Sequence, residues 1–273
     1  MSIPRVLVIA GSDSGGGAGI QADIKTVTML GGHAMTAITA ITAQNTLGVT
    51  AVTALATDMV QAQIDAVLAD LGADAVKIGM IGSAATATAI ADRLAGLDLP
   101  IVFDPVMVAS SGASLADAET IAAFARLAAL ATVTTPNAPE LAALTGLAVT
   151  SIAEAEIAAH ALARSSGSAV LAKGGHLDAE YLGIPVVRDL LVSGGETRTW
   201  SAGRIHTRHN HGTGCTLASG IATGLAAGLD LPAAIDRARG YLRAALKHAP
   251  GIGAGHGPMG HALGTVPFDR LRD

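Results

Sequence analysis

A glycine-rich segment at residues 211–215 combines residue types that can bind a phosphoryl group. It reads His211-Gly212-Thr213-Gly214-Cys215 and directly precedes an Ala/Gly/Leu-rich segment that predicts a helix. Glycines at a helix start let several backbone N–H groups point to one place, and the helix dipole adds partial positive charge there. We therefore expect this anion loop to bind a phosphoryl group. The pattern is also typical of a glycine-rich helix start without a ligand, because short glycine motifs recur by chance.

Cys215, the single cysteine of the chain, stands where the predicted helix begins. A helix N-terminus stabilises a thiolate, so this position predicts a thiol that is more acidic than usual. A thiolate there could remove the proton from a hydroxyl group that accepts a phosphoryl group. A buried cysteine without a chemical role is the alternative interpretation.

Another glycine-rich loop, Gly11–Gly19, follows the predicted strand Arg5–Ala10, and because it comes first in the chain we call it the first glycine-rich loop. No Gly-Lys-Ser/Thr follows it, and no G-x-G-x-x-G pattern aligns with an acidic residue about 20 positions later, so it matches neither common nucleotide loop. We interpret it as a loop that contacts a substrate. A flexible connection without a ligand is the alternative.

The next predicted strand is Ala34–Thr42, and Gln44 and Asn45 stand at its end. A side-chain amide both donates and accepts hydrogen bonds, so Gln44 could bind the edge of a heterocyclic ring. Ordinary turn chemistry explains the Gln44–Gly48 segment equally well.

Strands and helices alternate along the chain, which predicts one domain over residues 1–273 with a mostly parallel sheet. Ligands bind beyond the carboxyl ends of the strands in such sheets. Polar residues that follow predicted strands are therefore expected to converge there with the anion loop, together with Asp23 beside the first loop. These residues are Gln44, Asp104, Asn137, Glu140 and Lys173.

The predicted strands and helices have these limits. The strands are Arg5–Ala10, Ala34–Thr42, Val49–Ala56, Ala75–Ile78, Pro100–Phe103, Val133–Thr135, Ala169–Ala172, Val186–Val192 and Glu196–Ser201. Five predicted helices are Ile20–Leu30, Asp117–Ala131, Ala138–Thr145, Ile152–Ser165 and Leu231–His248. Two more begin at capping residues: one is capped by Asp58 and runs to Leu71, and one is capped by Ser83 and ends near Gly96. The helix that follows the anion loop runs to about Ala227.

Composition excludes several classes of function. Half of the residues are apolar but only 2% are aromatic, so Ala, Val, Leu and Ile must fill a large core. A net charge of −5, without a basic patch interleaved with aromatics, argues against nucleic-acid binding. The single cysteine excludes an internal disulfide. We find no signal-peptide pattern and no apolar run of about 18 residues. We therefore expect no membrane span and a cytoplasmic location.

Seven motifs occur in the order that is typical of one enzyme family. They lie in Ala10–Asp23, Ala37–Thr46, Lys77–Gly82, Asp104–Gly112, Thr135–Glu140, Lys173–His176 and His211–Thr216. Together, across about residues 4–262, they resemble the hydroxymethylpyrimidine/phosphomethylpyrimidine kinases of the ribokinase-like superfamily. The resemblance implies a three-layer α/β/α sandwich, a homodimer, and transfer of phosphoryl groups from ATP with Mg²⁺. The implied substrates are 4-amino-5-hydroxymethyl-2-methylpyrimidine and its monophosphate.

The resemblance also implies roles for individual residues. Cys215 occupies the position of the base, and Gly212, Thr213 and Gly214 would bind the transferring phosphoryl group. Gln44 would bind the pyrimidine edge, and Asp104 and Glu140 would hold Mg²⁺, partly through water. The other implied pocket residues are Gly11, Ala18, Asp23, Met80, Val106 and Met107, and the residues facing ATP are Lys173, Asn137 and Arg208.

Several of these residues have alternative explanations. Asp104 could merely end a strand, Glu140 could complement a helix N-terminus, and Met80 could belong to the core. Arg208 could be a solvated surface charge, and His211 could only shape its turn. Ser110-Ser111-Gly112 is either a lid over the pyrimidine or a plain loop.

The chain departs from the usual family pattern at two places. The segment before the anion loop lacks an acid at His206 and an amide at His209, and Gly260 stands where a longer polar residue is frequent. Two other functions therefore stay open at this point. One is a pyridoxal kinase that also carries Gly-Thr-Gly-Cys; the other is a catalytically silent pyrimidine sensor.

Overall fold

One twisted sheet organises the part of the chain that the computed structural model describes, which is residues 3–108, 115–177, 179–181 and 183–262. Its ten strands lie in the order β10-β9-β7-β6-β5-β4-β1-β2-β3, with β8 paired to β9. Six neighbouring strands, from β2 through β1 and β4 to β7, are parallel, and the strands at both edges are antiparallel. The strands are β1 Arg5–Asp13, β2 His33–Gln44, β3 Val49–Ala54, β4 Ala75–Ile78, β5 Ile101–Phe103, β6 Val133–Thr134, β7 Ala169–Ala172, β8 Ala179–Tyr181, β9 Ile184–Ser193 and β10 Glu196–Gly203.

Helices cover both faces of the sheet. The helices are α1 Gly19–Met29, α2 Thr57–Asp70, α3 Ala84–Leu94, α4 Ala118–Leu130, α5 Ala138–Thr145, α6 Ile152–Ser166, α7 Thr213–Ala226 and α8 Leu231–Lys247. Helices α1, α7 and α8 pack on one face, and α2 to α6 pack on the other. Successive strand residues point to opposite faces, so the buried central strands feed both layers. The α/β/α sandwich with a mostly parallel sheet is therefore confirmed.

Small residues allow helices α7 and α8 to pack closely. A Cβ atom placed on Gly220 of α7 would lie 2.8 Å from the Cβ of Ala238 in α8, and one on Gly224 would lie 2.8 Å from Ala234. The two helices thus approach more closely than larger side chains would permit. Phe103 and Phe124, two of the few aromatic residues, make an edge-to-face contact on the opposite face of the sheet, which α2 to α6 cover.

Most predicted helix starts are correct, but one is wrong. Ser83 and Asp117 cap α3 and α4 through their side chains, and Pro232 lies in the first turn of α8. Asp58 does not cap α2, because Ala56 is the N-cap residue and Asp58 lies inside the first turn. Its carboxylate accepts a hydrogen bond from the adjacent Met59 N–H instead.

Four strands run further than predicted, and two of them, β1 and β2, end at the cavity; the other two are β9 and β10. Strand β1 continues to Asp13, because residues Gly11–Asp13 of the first glycine-rich loop remain extended beside β2. Strand β2 likewise continues to Gln44, which places that residue at the carboxyl end of its strand. Within the described ranges, none of the helices has the length and apolarity needed to cross a bilayer.

Candidate active site

A cavity of about 890 Å³ opens beyond the carboxyl ends of the parallel strands. It lies where ligands bind in open α/β sheets. Fourteen residues that the sequence predicted to form a site line it. They are Gly11, Ala18, Gln44, Met80, Asp104, Val106, Met107, Asn137, Glu140, Lys173, Gly212, Thr213, Gly214 and Cys215.

The anion loop has the geometry expected of a phosphoryl-binding helix start. Gly212 is the N-cap residue of α7 and has a φ of +85°, and a Cβ atom there would lie 2.0 Å from the Gly17 carbonyl oxygen. Only glycine fits this position. The bonding pattern of α7 begins with the N–H of Thr216, which donates to the Gly212 carbonyl. The N–H groups of the three residues between them precede this pattern and are left for a ligand.

The thiol of Cys215 differs from the sequence-based expectation. Burial raises the pKa of Cys215 to about 12, and the nearby Lys77 ammonium offsets only part of that effect. The prediction of a more acidic thiol is therefore wrong for the free protein, because removal from water, together with the charges of Asp23 and Asp104, disfavours the thiolate more than Lys77 favours it. Cys215 lines the cavity as a protonated thiol.

Lys173 lies between two carboxylates on the other side of the cavity. Its Nζ is 2.7 Å from Asp104 Oδ1 and 3.7 Å from Glu140 Oε2. A Cβ atom on Gly214 would lie 3.2 Å from both Asp104 Oδ2 and Lys173 Nζ. The start of α7 therefore faces an ammonium and a carboxylate directly, and a group bound by the anion loop would contact both.

Asn137 and Glu140 form a capping box at the start of α5. The Asn137 side chain accepts from the Glu140 N–H at 2.9 Å, and Glu140 Oε2 accepts from the Asn137 N–H at 2.8 Å. Burial raises the pKa of Glu140 to about 7 despite the nearby Lys173. Glu140 thus complements a helix N-terminus and also lines the cavity, so the two interpretations of this residue are compatible.

Asp104 and Glu140 supply carboxylate oxygens of the kind that Mg²⁺ prefers. Among the described residues, no three His, Cys, Asp or Glu side chains cluster in a way that could enclose a metal ion. Mg²⁺ usually retains several waters and takes one or two carboxylates together with substrate phosphates, so this small donor set suits it.

Gln44 contacts the anion loop through His211. The Gln44 Nε2 atom lies 3.0 Å from His211 Nε2, which in turn lies 3.0 Å from Asp13 Oδ2. Asp13 also accepts hydrogen bonds from the N–H groups of Gly15, Gly17 and Ala18. Its carboxylate therefore folds the first glycine-rich loop back onto the anion loop.

Sequence reasoning did not assign Asp13, and it assigned His211 only to a turn. Burial opposes ionisation of Asp13, but the hydrogen bonds from His211, Ala18 and Gly15 outweigh it and lower the pKa of the carboxyl. A carboxylate followed by glycines, which permit such a nest of N–H donors, was the available signal.

Asp23 does not line the cavity as predicted. Its side chain is fully buried, and both oxygens accept hydrogen bonds from Lys77 Nζ at 2.9–3.0 Å. The Ser219 hydroxyl also donates to Asp23 Oδ1 at 2.6 Å. Both carboxylate oxygens thus have partners below the cavity. The prediction that Asp23 accepts a hydrogen bond from a substrate amino group is therefore wrong.

Arg208 is exposed and does not line the cavity. Its Nε lies 3.3 Å from His209 Nε2, which matches the alternative of a solvated surface charge. Other arginines, which sequence reasoning missed, line the cavity instead. They are Arg204, Arg239 and Arg243.

These arginines are held by hydrogen bonds between distant segments. Arg204 donates to the Gly175 and Leu177 carbonyls, and Arg239 Nε lies 2.7 Å from Asp189 Oδ2. Asp189 also accepts from the Gly174 N–H at 2.9 Å, next to Lys173. No local motif marks these residues, so the sequence carried little signal for them.

The tail after α8 packs across the two loops of the site. The His256 N–H donates to the Thr46 carbonyl, and the His211 N–H donates to the Gly257 carbonyl. Two glycines of this tail are closely packed, and one of them, Gly260, is a departure from the family pattern. A Cβ atom on Gly260 would lie 2.1 Å from the His248 carbonyl oxygen, and one on Gly257 would lie 2.2 Å from His209 Nδ1.

The predicted lid Ser110-Ser111-Gly112 lies outside the described residues.

Comparison with known proteins gives consistent matches over nearly the whole chain. The family model described as phosphomethylpyrimidine kinase matches residues 13–260. A hydroxymethylpyrimidine/phosphomethylpyrimidine kinase of Rhizobium meliloti is 50% identical over 93% of this chain and 96% of its own. The Streptomyces coelicolor enzyme of the same name is 45% identical, covering 96% of both chains.

Solved structures of two kinds of kinase are similar to this fold. An ADP complex of Bacillus subtilis pyridoxal kinase has a TM-score of 0.87 and 32% identity, covering 96% of this chain and 98% of that one. A phosphomethylpyrimidine kinase from Clostridium difficile has a TM-score of 0.77 and 36% identity, covering 89% of this chain and 99% of that one.

Proposed function

The chain belongs to the phosphomethylpyrimidine kinase family, and from that premise we propose a two-step kinase reaction of thiamine biosynthesis. The first step transfers the γ-phosphoryl group of ATP to the hydroxymethyl group of 4-amino-5-hydroxymethyl-2-methylpyrimidine. The second phosphorylates the resulting monophosphate to the diphosphate. ATP is the proposed donor because solved relatives include complexes with ADP and AMP-PCP.

The observation that carries the proposal is the apposition of Gly214 to Lys173 and Asp104. The Lys173 ammonium and the Asp104 carboxylate lie next to Gly214 in the first turn of α7, so a group bound at this helix start would be close to both. Phosphoryl transfer requires mainly positioning and stabilisation of the charge on the equatorial oxygens. The N–H groups of the helix start are present before any ligand binds, so they need not reorganise during the reaction.

The start of α7 would bind the phosphoryl group during transfer. The N–H groups of Thr213, Gly214 and Cys215 would donate to its oxygens, and the dipole of α7 would add partial positive charge. Lys173 would compensate negative charge on the phosphates from the opposite side.

The proton of the hydroxymethyl group would leave late in this reaction and pass to an oxygen of the transferred phosphoryl group. A loose transition state demands little of a base, and the Cys215 thiol is protonated in the free protein. We therefore assign Cys215 a contact with the accepting hydroxymethyl group and only a minor contribution as a base.

Gln44 and the first glycine-rich loop would bind the pyrimidine. The small residues Gly11 and Ala18 leave room for a flat ring, and the apolar side chains of Met80 and Met107 offer surfaces against it. The Gln44 amide lies at the same end and would contact the polar edge of the ring.

ATP would occupy the other end of the cavity. Ile205, Leu242 and Leu246 supply apolar surface for the base, and Arg204 and Arg243 line the same region. Asn137 would donate through its amide nitrogen, because its oxygen already caps α5. Arg208 would contribute only by moving from its exposed position.

Asp104 and Glu140 would hold Mg²⁺ beside the phosphates. The ion would supply positive charge that neutralises the phosphate oxygens. Lys173, which now contacts both carboxylates, would then be free to donate to a phosphate oxygen.

We further propose a homodimer and action in the cytoplasm, where ATP is available. Ile41, Leu47 and Val52 are exposed apolar residues at the β2–β3 edge, and this edge is the surface that we propose for pairing with a second copy. Sedimentation of the purified chain would decide between monomer and dimer.

The deciding experiment is a coupled ADP-release assay with Mg-ATP. Its substrates are the hydroxymethylpyrimidine, its monophosphate, pyridoxal and ribose, and mass spectrometry identifies the products. Turnover of both pyrimidines with formation of the diphosphate supports the proposal. Turnover of only one pyrimidine limits the enzyme to that step. Binding of the pyrimidine without turnover would overturn it in favour of a silent sensor.

Pyridoxal phosphorylation is the second candidate activity. It is favoured by the structural likeness to pyridoxal kinases, including a Staphylococcus aureus enzyme in complex with pyridoxal, with a TM-score of 0.86 and 30% identity. The sequence relatives at 45–50% identity carry the pyrimidine kinase name, so we rank pyridoxal as a side substrate. Turnover of pyridoxal alone would reverse this order.

A further inference from the structure

Two polar side chains of the described residues, Asp13 and Gln44, make opposite demands on His211 Nε2. Asp13 Oδ2 lies 3.0 Å away and, as a carboxylate, can only accept a hydrogen bond. The pKa of Asp13 is lowered, chiefly because hydrogen bonds from His211 and the loop N–H groups outweigh burial, so the carboxylate form is favoured. His211 must therefore carry a proton on Nε2 and donate it to Asp13.

A protonated Nε2 decides which atom of the Gln44 amide faces it. The amide nitrogen lies 3.0 Å from His211 Nε2 as placed, but two N–H donors cannot bond to each other. A half-turn of the amide exchanges its nitrogen and oxygen without changing the shape of the side chain. The Nε2–H can be shared between Asp13 and the Gln44 oxygen in a three-centre hydrogen bond, whereas it only opposes the Gln44 N–H, so the oxygen belongs on this side.

Thr42 requires the same orientation independently. Its hydroxyl lies 3.0 Å from the Ser12 carbonyl oxygen and 3.2 Å from the Gln44 amide atom on that side. A hydroxyl has one proton, and a carbonyl can only accept, so the proton of Thr42 goes to Ser12. Thr42 then accepts from Gln44, and the amide nitrogen must face Thr42.

We propose that Asp13 and His211 are positioning residues that, together with Thr42, hold the Gln44 amide in one orientation and so make the site specific for an amino-substituted pyrimidine edge. The amide oxygen faces His211 and the nitrogen faces Thr42. Each still has capacity toward the cavity, one lone pair and one N–H. The inference rests on the proposed function, because it assumes that Gln44 contacts the pyrimidine.

A fixed amide distinguishes two rings of the same shape. The 4-amino pyrimidine presents a donating amino group next to an accepting ring nitrogen. Its 4-oxo analogue presents the reverse, an accepting oxygen next to a ring N–H. The 4-substituent neighbours the hydroxymethyl carbon, so turning the ring over cannot exchange the two positions while that group faces the anion loop.

Binding the 4-oxo analogue would require a half-turn of the Gln44 amide. That turn would set N–H against N–H at His211 and would place the oxygen beside a Thr42 hydroxyl whose proton is already used. Buried polar groups that are left unpaired in this way are the main source of discrimination between such analogues.

The test compares kcat/KM for 5-hydroxymethyl-2-methylpyrimidin-4-amine with that for its 4-oxo analogue. We expect the wild-type protein to prefer the amine by at least about 100-fold. In His211→Leu the amide can turn, so the preference should fall below about tenfold. His211→Gln places an amide N–H near the lost Nε2–H and should restore much of the preference for the amine. His33→Leu, at an exposed site at the opposite end of β2, should keep the wild-type ratio.

Thr42 supplies a second test should the His211 variants fold poorly, as judged by thermal unfolding. Thr42→Val removes the acceptor and should lower the preference, whereas Thr42→Ser retains it and should not. A His211→Leu protein, or a Thr42→Val protein, that keeps the wild-type ratio would overturn the inference. A wild-type protein that turns over neither pyrimidine would instead overturn the proposed function, so the two failures are distinguishable.

Discussion

Lys77 Nζ lies 2.9 Å from Asp23 Oδ2 and 3.0 Å from Oδ1, and neither side chain has exposed surface. The pair joins β4 to α1, and Ser219 ties it to α7 beneath the anion loop. Taking two charges out of water is costly, so each partner depends on the other for its stability in the folded protein.

Replacement of Lys77 should therefore destabilise the fold strongly. Lys77→Met leaves Asp23 buried without its partner, and we expect the free energy of unfolding to fall by about 3–5 kcal/mol. Urea denaturation measures this change. The matched control is Arg126→Met, which breaks the surface pair with Asp92 and should cost less than about 1 kcal/mol. A Lys77→Met loss as small as that of the control would contradict the prediction.

The single thiol should react slowly in the folded protein. Burial raises the pKa of Cys215 to about 12, so the thiolate that attacks an alkylating reagent is scarce at pH 8. We expect iodoacetamide to label folded protein at least about 100-fold more slowly than the urea-unfolded chain, as followed by intact mass. The unfolded chain is an internal control, because Cys215 is its only cysteine. Equal labelling rates would show an acidic thiol after all.

Cys215→Ala should reduce kcat without abolishing it. A full general base contributes about 100-fold or more, whereas a protonated thiol that only contacts the accepting group contributes less. We expect a loss below about 100-fold for the pyrimidine substrate in the ADP-release assay. A larger loss with unchanged KM and unchanged thermal stability would mean that Cys215 acts as an essential base.

Glu140 should make the stability of the Mg²⁺-free protein depend on pH. Burial raises the pKa of Glu140 to about 7 in the folded state, above its usual value of 4.5. The folded state therefore holds a proton that the unfolded chain has lost. Stability is fully present below about pH 4.5 and is lost as pH rises through about 7, by up to about 3 kcal/mol.

The Glu140→Gln protein tests this dependence, because it cannot ionise at that position. Its free energy of unfolding should fall less than that of the wild type between pH 5 and pH 8, as measured by urea denaturation. Glu154→Gln is the matched control. Hydrogen bonds from Thr150 lower the pKa of the partly exposed Glu154, so that residue is already ionised in this window and should leave the wild-type fall intact. Equal slopes for wild type and Glu140→Gln would refute the prediction.

Two glycine-to-alanine changes should have opposite effects. Gly212→Ala places a Cβ atom 2.0 Å from the Gly17 carbonyl oxygen at a φ of +85°, so the anion loop must shift. We expect both a loss of about 2 kcal/mol or more in stability and a severe loss of kcat. Gly240→Ala meets no atom within 4 Å in α8 and should stabilise by about 0.5–1 kcal/mol. Thermal unfolding measures both, and an active, stable Gly212→Ala protein would argue against the role of the anion loop.

Local patterns were sufficient for much of the fold and for part of the site. The alternation of buried strands and amphipathic helices follows from residue periodicity, and caps such as Ser83 and Asp117 depend on neighbours three residues away. The anion loop was predictable for the same reason, since glycine geometry and a helix start are properties of one short segment. Asp104, Asn137 and Lys173 were found because strand ends in a parallel sheet share one edge.

The remaining features depend on contacts between residues that are far apart in sequence. Asp13 and His211 are separated by 198 positions, and Asp23 and Lys77 by 54. Residues that are close together in the chain are enough to predict which segments form strands, helices and the anion loop. The burial of Asp23 with Lys77, the position of Arg208 outside the cavity and the raised pKa of the Cys215 thiol arise only when the chain is folded. Burial and charge pairing are created by the packing of distant segments, and no local pattern contains them.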